Sequence, residues 1–185
     1  MKNILISESE KKHILNLHNK VKILLSESVS VGDRAPELKL IDFQKGRDIL
    51  LTNYFGKPII LMYYLYSCSS CISRMKQIVN NNTNKYTTIL ATYLDYSKDA
   101  YHDIKSQKEM CEKKSNLVPG SINGYDLSKS KIEMYKNADG THLGSGNHYG
   151  GTPPKTVLIN SEGNITYVEV GTDEESFKNA LNELK

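Results

Sequence analysis

The residues with the clearest chemical potential are two cysteines, Cys68 and Cys71, which enclose Ser69 and Ser70. They follow a near-continuous apolar run, 59–65, that predicts a buried strand, and they open a stretch with helical spacing. The first turn of a helix favours negative charge and can lower a cysteine pKa from about 8.5 to between roughly 3.5 and 7.5. We therefore expect Cys68 to attack a substrate disulfide as a thiolate, and Cys71, one helical turn away, to resolve the mixed disulfide.

A Cys-x-x-Cys pair also occurs in zinc sites, which need two more ligands at suitable spacing. The other candidates are Cys111, His142 and His148, and none of them belongs to a second paired motif. Both histidines lie in a polar glycine-rich stretch. Cys111 lies on an apolar helix face, where it is most simply a small buried hydrophobic residue, with a reactive role as the less favoured alternative. We expect no metal and no cofactor, because the two sulfurs carry the reaction themselves.

Strands alternate with helices along the rest of the chain. The predicted order begins with a short hairpin across 44–46, the strand 59–65, a helix ending at 80–82, a strand at 87–94 and a helix at 99–114. An extended piece at 117–118, a helix at 128–136, a glycine-rich loop at 138–151 and a hairpin of 156–159 with 165–170 follow. The last helix is capped by Thr172 and Glu175 and is predicted to bury Phe177, Ala180, Leu181 and Leu184. The helix after the dithiol is predicted to have an apolar face made of Cys71, Met75, Ile78 and Val79. This pattern predicts an α/β fold, with a mixed central β-sheet flanked by helices and covered on both faces.

The N-terminal segment differs from the rest of the chain. Ser7 and Glu10 form a capping box at the start of a predicted helix, 7–25, whose apolar residues recur at helical spacing. We therefore divide the chain into an N-terminal helix with its linker, 1–30, and a second domain, 31–185. The extra helix either packs on its own domain or docks on a partner, and both alternatives stay open.

Composition limits the partners and the location. The net charge of +3 comes from 24 basic and 21 acidic residues spread along the chain, whereas nucleic-acid binding needs a concentrated basic face. The longest apolar run, 59–66, is too short to span a membrane, and the apolar residues near the N-terminus are too few for a secretory signal. We expect a cytoplasmic protein, in which a close cysteine pair is more often redox-active or metal-binding than structural.

Four motifs in the same order resemble the thioredoxin superfamily, and within it the TlpA/ResA-like branch related to AhpC/TSA proteins. Residues 31–36 (VGDRAP) are similar to the opening of that branch, 56–61 (GKPIIL) to its central strand, 68–71 to its redox motif and 151–160 (GTPPKTVLIN) to its late strand. The resemblance covers about 31–185. It implies a thioredoxin-like fold, thiol–disulfide oxidoreductase activity on protein substrates, and a redox partner that the sequence does not identify.

The resemblance also implies a substrate groove. In this family a cis-proline at the start of the late strand faces the redox motif, and the strand register favours Pro154 over Pro153 for that role. Pro153 has no N–H, so a backbone donor that helps to hold the substrate strand in the family is missing here. We expect substrate-binding residues around both motifs: Ser67, Ser69, Ser70, Thr152, Pro153 and Pro154.

Besides Pro153, two positions depart from the pattern of the family, and a third position bears on a peroxidase activity. Ser67 stands where the family usually has Trp before the first cysteine. Met62 stands where thioredoxin carries a buried acid, so a proton relay through that acid is not available. Leu65 stands three residues before Cys68, where a peroxiredoxin needs Thr or Ser, so a peroxidase is disfavoured. Substrate and direction of electron flow stay open.

The alternative to an enzyme is an interaction module. In that interpretation a thioredoxin-fold domain is tethered through the helix 7–25, and its cysteines are vestigial or structural. Residues 4–12 (ILISESEKK) are similar to leader segments of assorted bacteriophage proteins, which adds virion association to this alternative. Deleting residues 1–29 separates the two hypotheses, because a tethered enzyme keeps its thiol chemistry when its assembly is lost.

Overall fold

The described part of the chain is built around one β-sheet. The computed structural model describes residues 10–11, 29–81, 85–95, 100, 102–126 and 153–185. The strands are β1 (Lys39–Asp42), β2 (Asp48–Leu50), β3 (Ile59–Tyr64), β4 (Thr87–Thr92), β5 (Ile122–Tyr125), β6 (Lys155–Ile159) and β7 (Ile165–Val170). The helices are α1 (Ser69–Asn80), α2 (Ile104–Ser115) and α3 (Glu174–Glu183), and a 3₁₀ helix covers Leu51–Tyr54.

The sheet is mixed, as predicted. Its strand order is β2-β1-β5-β4-β3-β6-β7. β3 pairs in parallel with β4 and antiparallel with β6, and β4 pairs in parallel with β5. The remaining neighbours are antiparallel. The parallel strands are joined by the helices α1 and α2, as parallel connections require a crossover.

β3 is buried on both faces, as its apolar run predicts. Successive side chains of a strand point to opposite faces. Ile60, Met62 and Tyr64 pack into a core cluster that also contains side chains of α1, α2 and α3. The intervening residues point to the other face, where they form a cluster with side chains of β1, of β2 and of the segment 29–38. Both faces are therefore covered, and the three helices α1 to α3 lie on the same face.

α1 turns a narrow buried face towards the sheet. Cys71, Met75 and Ile78 are fully buried, as predicted. Val79, the fourth predicted member of this face, is 44% exposed, so its assignment is wrong. Arg74 is buried instead, because positions three and four apart share one face of a helix.

The predicted hairpin across 44–46 is confirmed, since β1 and β2 pair antiparallel. The Asp42 carboxylate accepts hydrogen bonds from the N–H groups of Gln44 at 2.9 Å and Lys45 at 2.8 Å. Gly46 has a φ of 62°, which glycine adopts without steric cost. The turn therefore has a local cause in the sequence.

Several boundaries differ from the prediction. β3 and β4 end at Tyr64 and Thr92, slightly before their predicted ends. α2 begins at Ile104 rather than near 99, because the Asp103 carboxylate caps it and accepts from the Ser106 N–H at 2.9 Å. Residues 117–118 form a turn on the end of α2 rather than an extended piece, and the strand follows at β5.

α3 is capped one residue later than predicted. The Asp173 carboxylate accepts from the Ser176 N–H at 3.1 Å, so Asp173 takes the place predicted for Thr172. Aspartate is the better N-cap of the two, which accounts for the shift. Phe177 and Leu181 are buried as predicted.

Three predicted segments lie outside the described residues: the helix 128–136, the glycine-rich loop 138–151 and most of the helix 7–25. Within the last of these only Glu10 and Lys11 are described, and both are helical. The division into 1–30 and 31–185 therefore stays a prediction. Among the helices that the structure describes, none is long and apolar enough to cross a membrane.

Candidate active site

The cysteine pair lies at the junction between β3 and α1. After β3 the chain turns, and the Cys68 N–H donates to the Leu65 carbonyl at 3.2 Å. Cys68 is the N-cap residue of α1, and its Sγ accepts from the backbone N–H of Cys71 at 3.1 Å. The Cys68 sulfur therefore lies at the helix N-terminus, where backbone donors and the helix dipole favour a thiolate.

Cys68 and Cys71 are joined in a disulfide, with their sulfurs 2.07 Å and their Cα atoms 5.4 Å apart. Cys71 is fully buried under α1, whereas Cys68 is half-buried. Thiol–disulfide exchange requires the attacking thiolate to reach one sulfur. Of this pair, Cys68 is the residue that an external thiol or disulfide can approach.

The serines around the pair are exposed: Ser67 before it, and Ser69 and Ser70 within it. The Ser70 hydroxyl lies 3.4 Å from the Cys68 Sγ, within reach of a sulfur hydrogen bond. The first turn of α1 contains no acidic residue, so no carboxylate there opposes a negative charge on Cys68. Thr152, the other polar residue of the predicted substrate groove, lies outside the described ranges.

The proline pair lies at the same end of the sheet as the cysteines. The peptide bond between Pro153 and Pro154 is cis, which confirms Pro154 as the cis-proline. Lys155, the next residue, pairs with Tyr63 near the carboxyl end of β3. The Pro154 carbonyl accepts from the Gly171 N–H at 2.9 Å, which anchors the proline loop to the end of β7.

Sequence reasoning misses a buried arginine on α1. Arg74 forms an ion pair with Glu169 of β7, and its Nη2 donates to the Gly171 carbonyl at 3.3 Å. Its guanidinium carbon also lies 4.3 Å from the centre of the Phe177 ring. Because Gly171 also bonds to Pro154, these contacts connect the helix of the cysteine pair to the proline loop. Arginine is rarely buried unless paired, and the paired carboxylate lies 95 residues along the chain, so no local pattern indicates it.

Sequence reasoning also misses Lys114, in the last turn of α2. Its Nζ donates to the carbonyl of Leu65 at 3.0 Å and to the carbonyl of Cys68 at 2.6 Å. Lys114 is half-buried, and this burial lowers the pKa of its ammonium group. In the sequence it is one of two adjacent lysines, Lys113 and Lys114, at the end of a helix, a pattern typical of a solvated terminus.

The core on the side of Cys71 is apolar. Met62 is fully buried in the same cluster as Cys71. Cys111 is fully buried there too, with its Sγ 3.8 Å from the Thr92 hydroxyl, and burial raises its pKa to about 11. The prediction that Cys111 is a small buried hydrophobic residue is confirmed. The described residues contain no group of His, Cys, Asp or Glu placed to hold a metal ion.

Several solved structures share this architecture at low sequence identity. The thioredoxin domain of a thiol-disulfide oxidoreductase from Bacteroides vulgatus is 18% identical with a TM-score of 0.57, covering 84% of this chain and 97% of that one. A thioredoxin-like protein from Bacteroides caccae is 15% identical with a TM-score of 0.59, covering 94% of this chain and 56% of that one. The exposed lipoprotein thioredoxin of Streptococcus pneumoniae is 16% identical with a TM-score of 0.51, covering 80% and 100%.

These similarities define the fold as thioredoxin-like, with a Cys-x-x-Cys pair at disulfide distance. The Redoxin family model matches residues 30–184, so the chain belongs to the Redoxin family. The predicted membership of the thioredoxin superfamily and the predicted fold are both confirmed. No curated protein sequence matches the chain.

Proposed function

We propose that this protein is a thiol–disulfide oxidoreductase that reduces or exchanges disulfides in protein substrates. The observation that carries the proposal is the Cys68–Cys71 pair at the start of α1, with one sulfur accessible and the other buried. Membership of the Redoxin family and the thioredoxin-like neighbours support it. Cys68 is the proposed nucleophile, and Cys71 is the proposed resolving thiol.

In the reducing direction the reaction needs only these two sulfurs. The Cys68 thiolate attacks one sulfur of the substrate disulfide, forms a mixed disulfide and expels the other substrate sulfur as a thiolate. Cys71 then loses its proton and attacks the Cys68 sulfur, which breaks the mixed disulfide and releases the second substrate thiolate. The substrate gains two electrons and the protein becomes the Cys68–Cys71 disulfide, which an external dithiol must reduce. The oxidising direction runs through the same steps in reverse.

The substrate is proposed to lie across the exposed serines and the proline loop, in contact with Ser67, Ser69, Ser70, Thr152, Pro153 and Pro154. The cysteine motif follows the carboxyl end of β3 and the proline pair precedes the start of β6, at the same edge of the sheet, which supports a shared groove. Pro153 offers no N–H to a substrate strand, so side-chain contacts carry more of the binding than backbone pairing does.

We place this activity in the cytoplasm with an unidentified redox partner. The pneumococcal neighbour is an exposed lipoprotein by its name, so cell fractionation is the measurement that decides the compartment. We also propose that the helix 7–25 docks on a partner, with a virion component among the candidates.

Trapping the mixed disulfide tests the proposed reaction. Cys71→Ser should accumulate a covalent complex with a disulfide-bonded model protein such as insulin, because the resolving thiol is missing. Cys68→Ser is the matched control and should form no complex, since its two remaining thiols, Cys71 and Cys111, are both buried. The wild type should turn insulin over with dithiothreitol as reductant. If neither turnover nor trapping occurs, the redox proposal fails and the interaction module replaces it.

A further inference from the structure

The turn between β3 and α1, which ends at Cys68, accepts hydrogen bonds from a lysine of another helix. Lys114 of α2 donates to both ends of the turn between β3 and α1, at the Leu65 and Cys68 carbonyls. The Cys68 N–H closes the same turn by donating to the Leu65 carbonyl. The Lys114 ammonium group therefore lies against the main chain of the proposed nucleophile.

This ammonium group has no acidic partner in the ion pairs of the described ranges. On α2, Cys111 lies one turn earlier and is neutral at physiological pH, while Glu112 is exposed. After β4, burial and the charge of Asp95 raise the pKa of Tyr66, whereas burial lowers the pKa of Lys114. α1 brings no acidic residue in its first turn, and no acidic side chain of β3 is present to face the lysine. The positive charge next to Cys68 is therefore not cancelled by a described neighbour.

Two functions can be separated for such a lysine. A purely structural lysine fixes the turn through hydrogen bonds, and the charge is incidental. A lysine that also supports the chemistry stabilises the negative charge that Cys68 acquires when the disulfide is reduced, because a nearby opposite charge favours the charged form of a titratable group. The lysine is half-buried, where charges are screened less than at the surface.

We propose that Lys114 is a positioning residue that holds the turn before α1 and stabilises the Cys68 thiolate. Its charge adds to the stabilisation that the N-terminus of α1 already provides. This inference rests on the proposed function of Cys68 as the nucleophile. Stabilising the thiolate stabilises the reduced protein relative to the disulfide, so Lys114 makes the pair more oxidising. It also increases the fraction of Cys68 that is reactive at neutral pH.

The test is the pH dependence of Cys68 alkylation in the reduced protein, followed by peptide mass spectrometry. Lys114→Met should raise the pKa of Cys68 by about one unit. It should also shift the dithiol–disulfide equilibrium at neutral pH up to tenfold towards the disulfide, which corresponds to about 30 mV. Lys114→Arg keeps the charge and should keep both values close to those of the wild type. Lys113→Met, on the exposed neighbour, is the control and should change neither.

Lys114→Gln separates the hydrogen bonds from the charge, since it keeps a donor for the carbonyls. It should behave like Lys114→Met in both readouts, and it carries the test if Lys114→Met does not fold. A lower melting temperature with an unchanged Cys68 pH profile and an unchanged equilibrium would overturn the inference and leave Lys114 structural. A different result refutes the proposed function itself, namely a wild-type protein that forms no reversible Cys68–Cys71 disulfide.

Discussion

Replacing Arg74 by methionine removes one partner of a buried ion pair and keeps most of the side-chain volume. The Arg74 side chain is 0% exposed and the Glu169 side chain is 14% exposed. Removing one partner of a buried pair costs about 3–5 kcal/mol, because the remaining charge is left without compensation. Glu169 keeps two donors, the Tyr167 hydroxyl and the Asp173 N–H, so we expect the lower end of that range, about 3 kcal/mol.

The double variant Arg74→Met with Glu169→Gln should be much less destabilised than the single variant. The Nε and Nη1 atoms of Arg74 find no hydrogen-bond partner among the described residues, so burying this guanidinium already carries a desolvation cost. Removing both charges should cost about 1 kcal/mol, since a buried pair replaced by neutral groups is often close to neutral. Adding Glu169→Gln should therefore recover about 2 kcal/mol of the loss, and the coupling between the two sites is that recovery plus the cost of Glu169→Gln alone, which completes the cycle.

Equilibrium unfolding in urea measures these differences. Far-UV circular dichroism is the probe, because the chain contains no tryptophan. Lys76→Met, on an exposed position of the same helix, is the control and should stay within about 0.5 kcal/mol of the wild type. A loss below about 1 kcal/mol for Arg74→Met, or single-variant effects that simply add, would refute the role of this ion pair in holding α1 against β7.

Three further predictions concern single positions. In the folded, reduced protein, iodoacetamide at about pH 8 should leave Cys111 unmodified, because burial raises its pKa to about 11; mass spectrometry showing alkylation as fast as at Cys68 would contradict this. The hydrogen bond from the Ser106 N–H lowers the pKa of Asp103 below the unfolded value of 3.8, so the charge of this cap stabilises the fold above that pH and the benefit is lost as the pH falls through the folded pKa. The melting temperatures of the wild type and Asp103→Asn should accordingly converge between about pH 6 and about pH 2.5, and a constant difference would speak against it. Gly124→Ala should lose about 1–3 kcal/mol in urea unfolding, since its Cβ would lie 2.6 Å from the Cβ of Leu40, and an unchanged midpoint would show that β1 can shift.

The parts of the fold that the sequence predicts well have local causes. The apolar run 59–65 identifies β3, the turn residues 44–46 identify the first hairpin, and the residues 68–71 mark the start of α1. Pro154 follows from strand register rather than from the Gly-Thr-Pro match, because the apolar run of β6 fixes where the strand begins. These signals lie within a few residues of the features that they predict.

The residues that the sequence does not reveal depend on distant partners. Arg74 and Lys114 look like ordinary surface charges, and only the packing of α1 and α2 against the sheet gives each its contacts. Val79 shows the opposite error, because it is predicted to be buried and is exposed. An apolar residue next to the buried Ile78 can lie just outside the narrow buried face of the helix. Local competition between two adequate caps, Thr172 and Asp173, accounts for the shift in α3.

The most direct test of the central claim is a redox titration of the whole chain against glutathione or dithiothreitol buffers. Each sample is quenched with an alkylating agent under denaturing conditions, and the modified thiols are counted by mass. Because Cys111 is the only free cysteine among the three, the count should rise from one to three in a single reversible step. We expect a midpoint between about −120 and −270 mV, the range of working dithiol proteins. A count that stays at one or at three across all buffers would contradict the proposal that Cys68 and Cys71 form a redox-active pair.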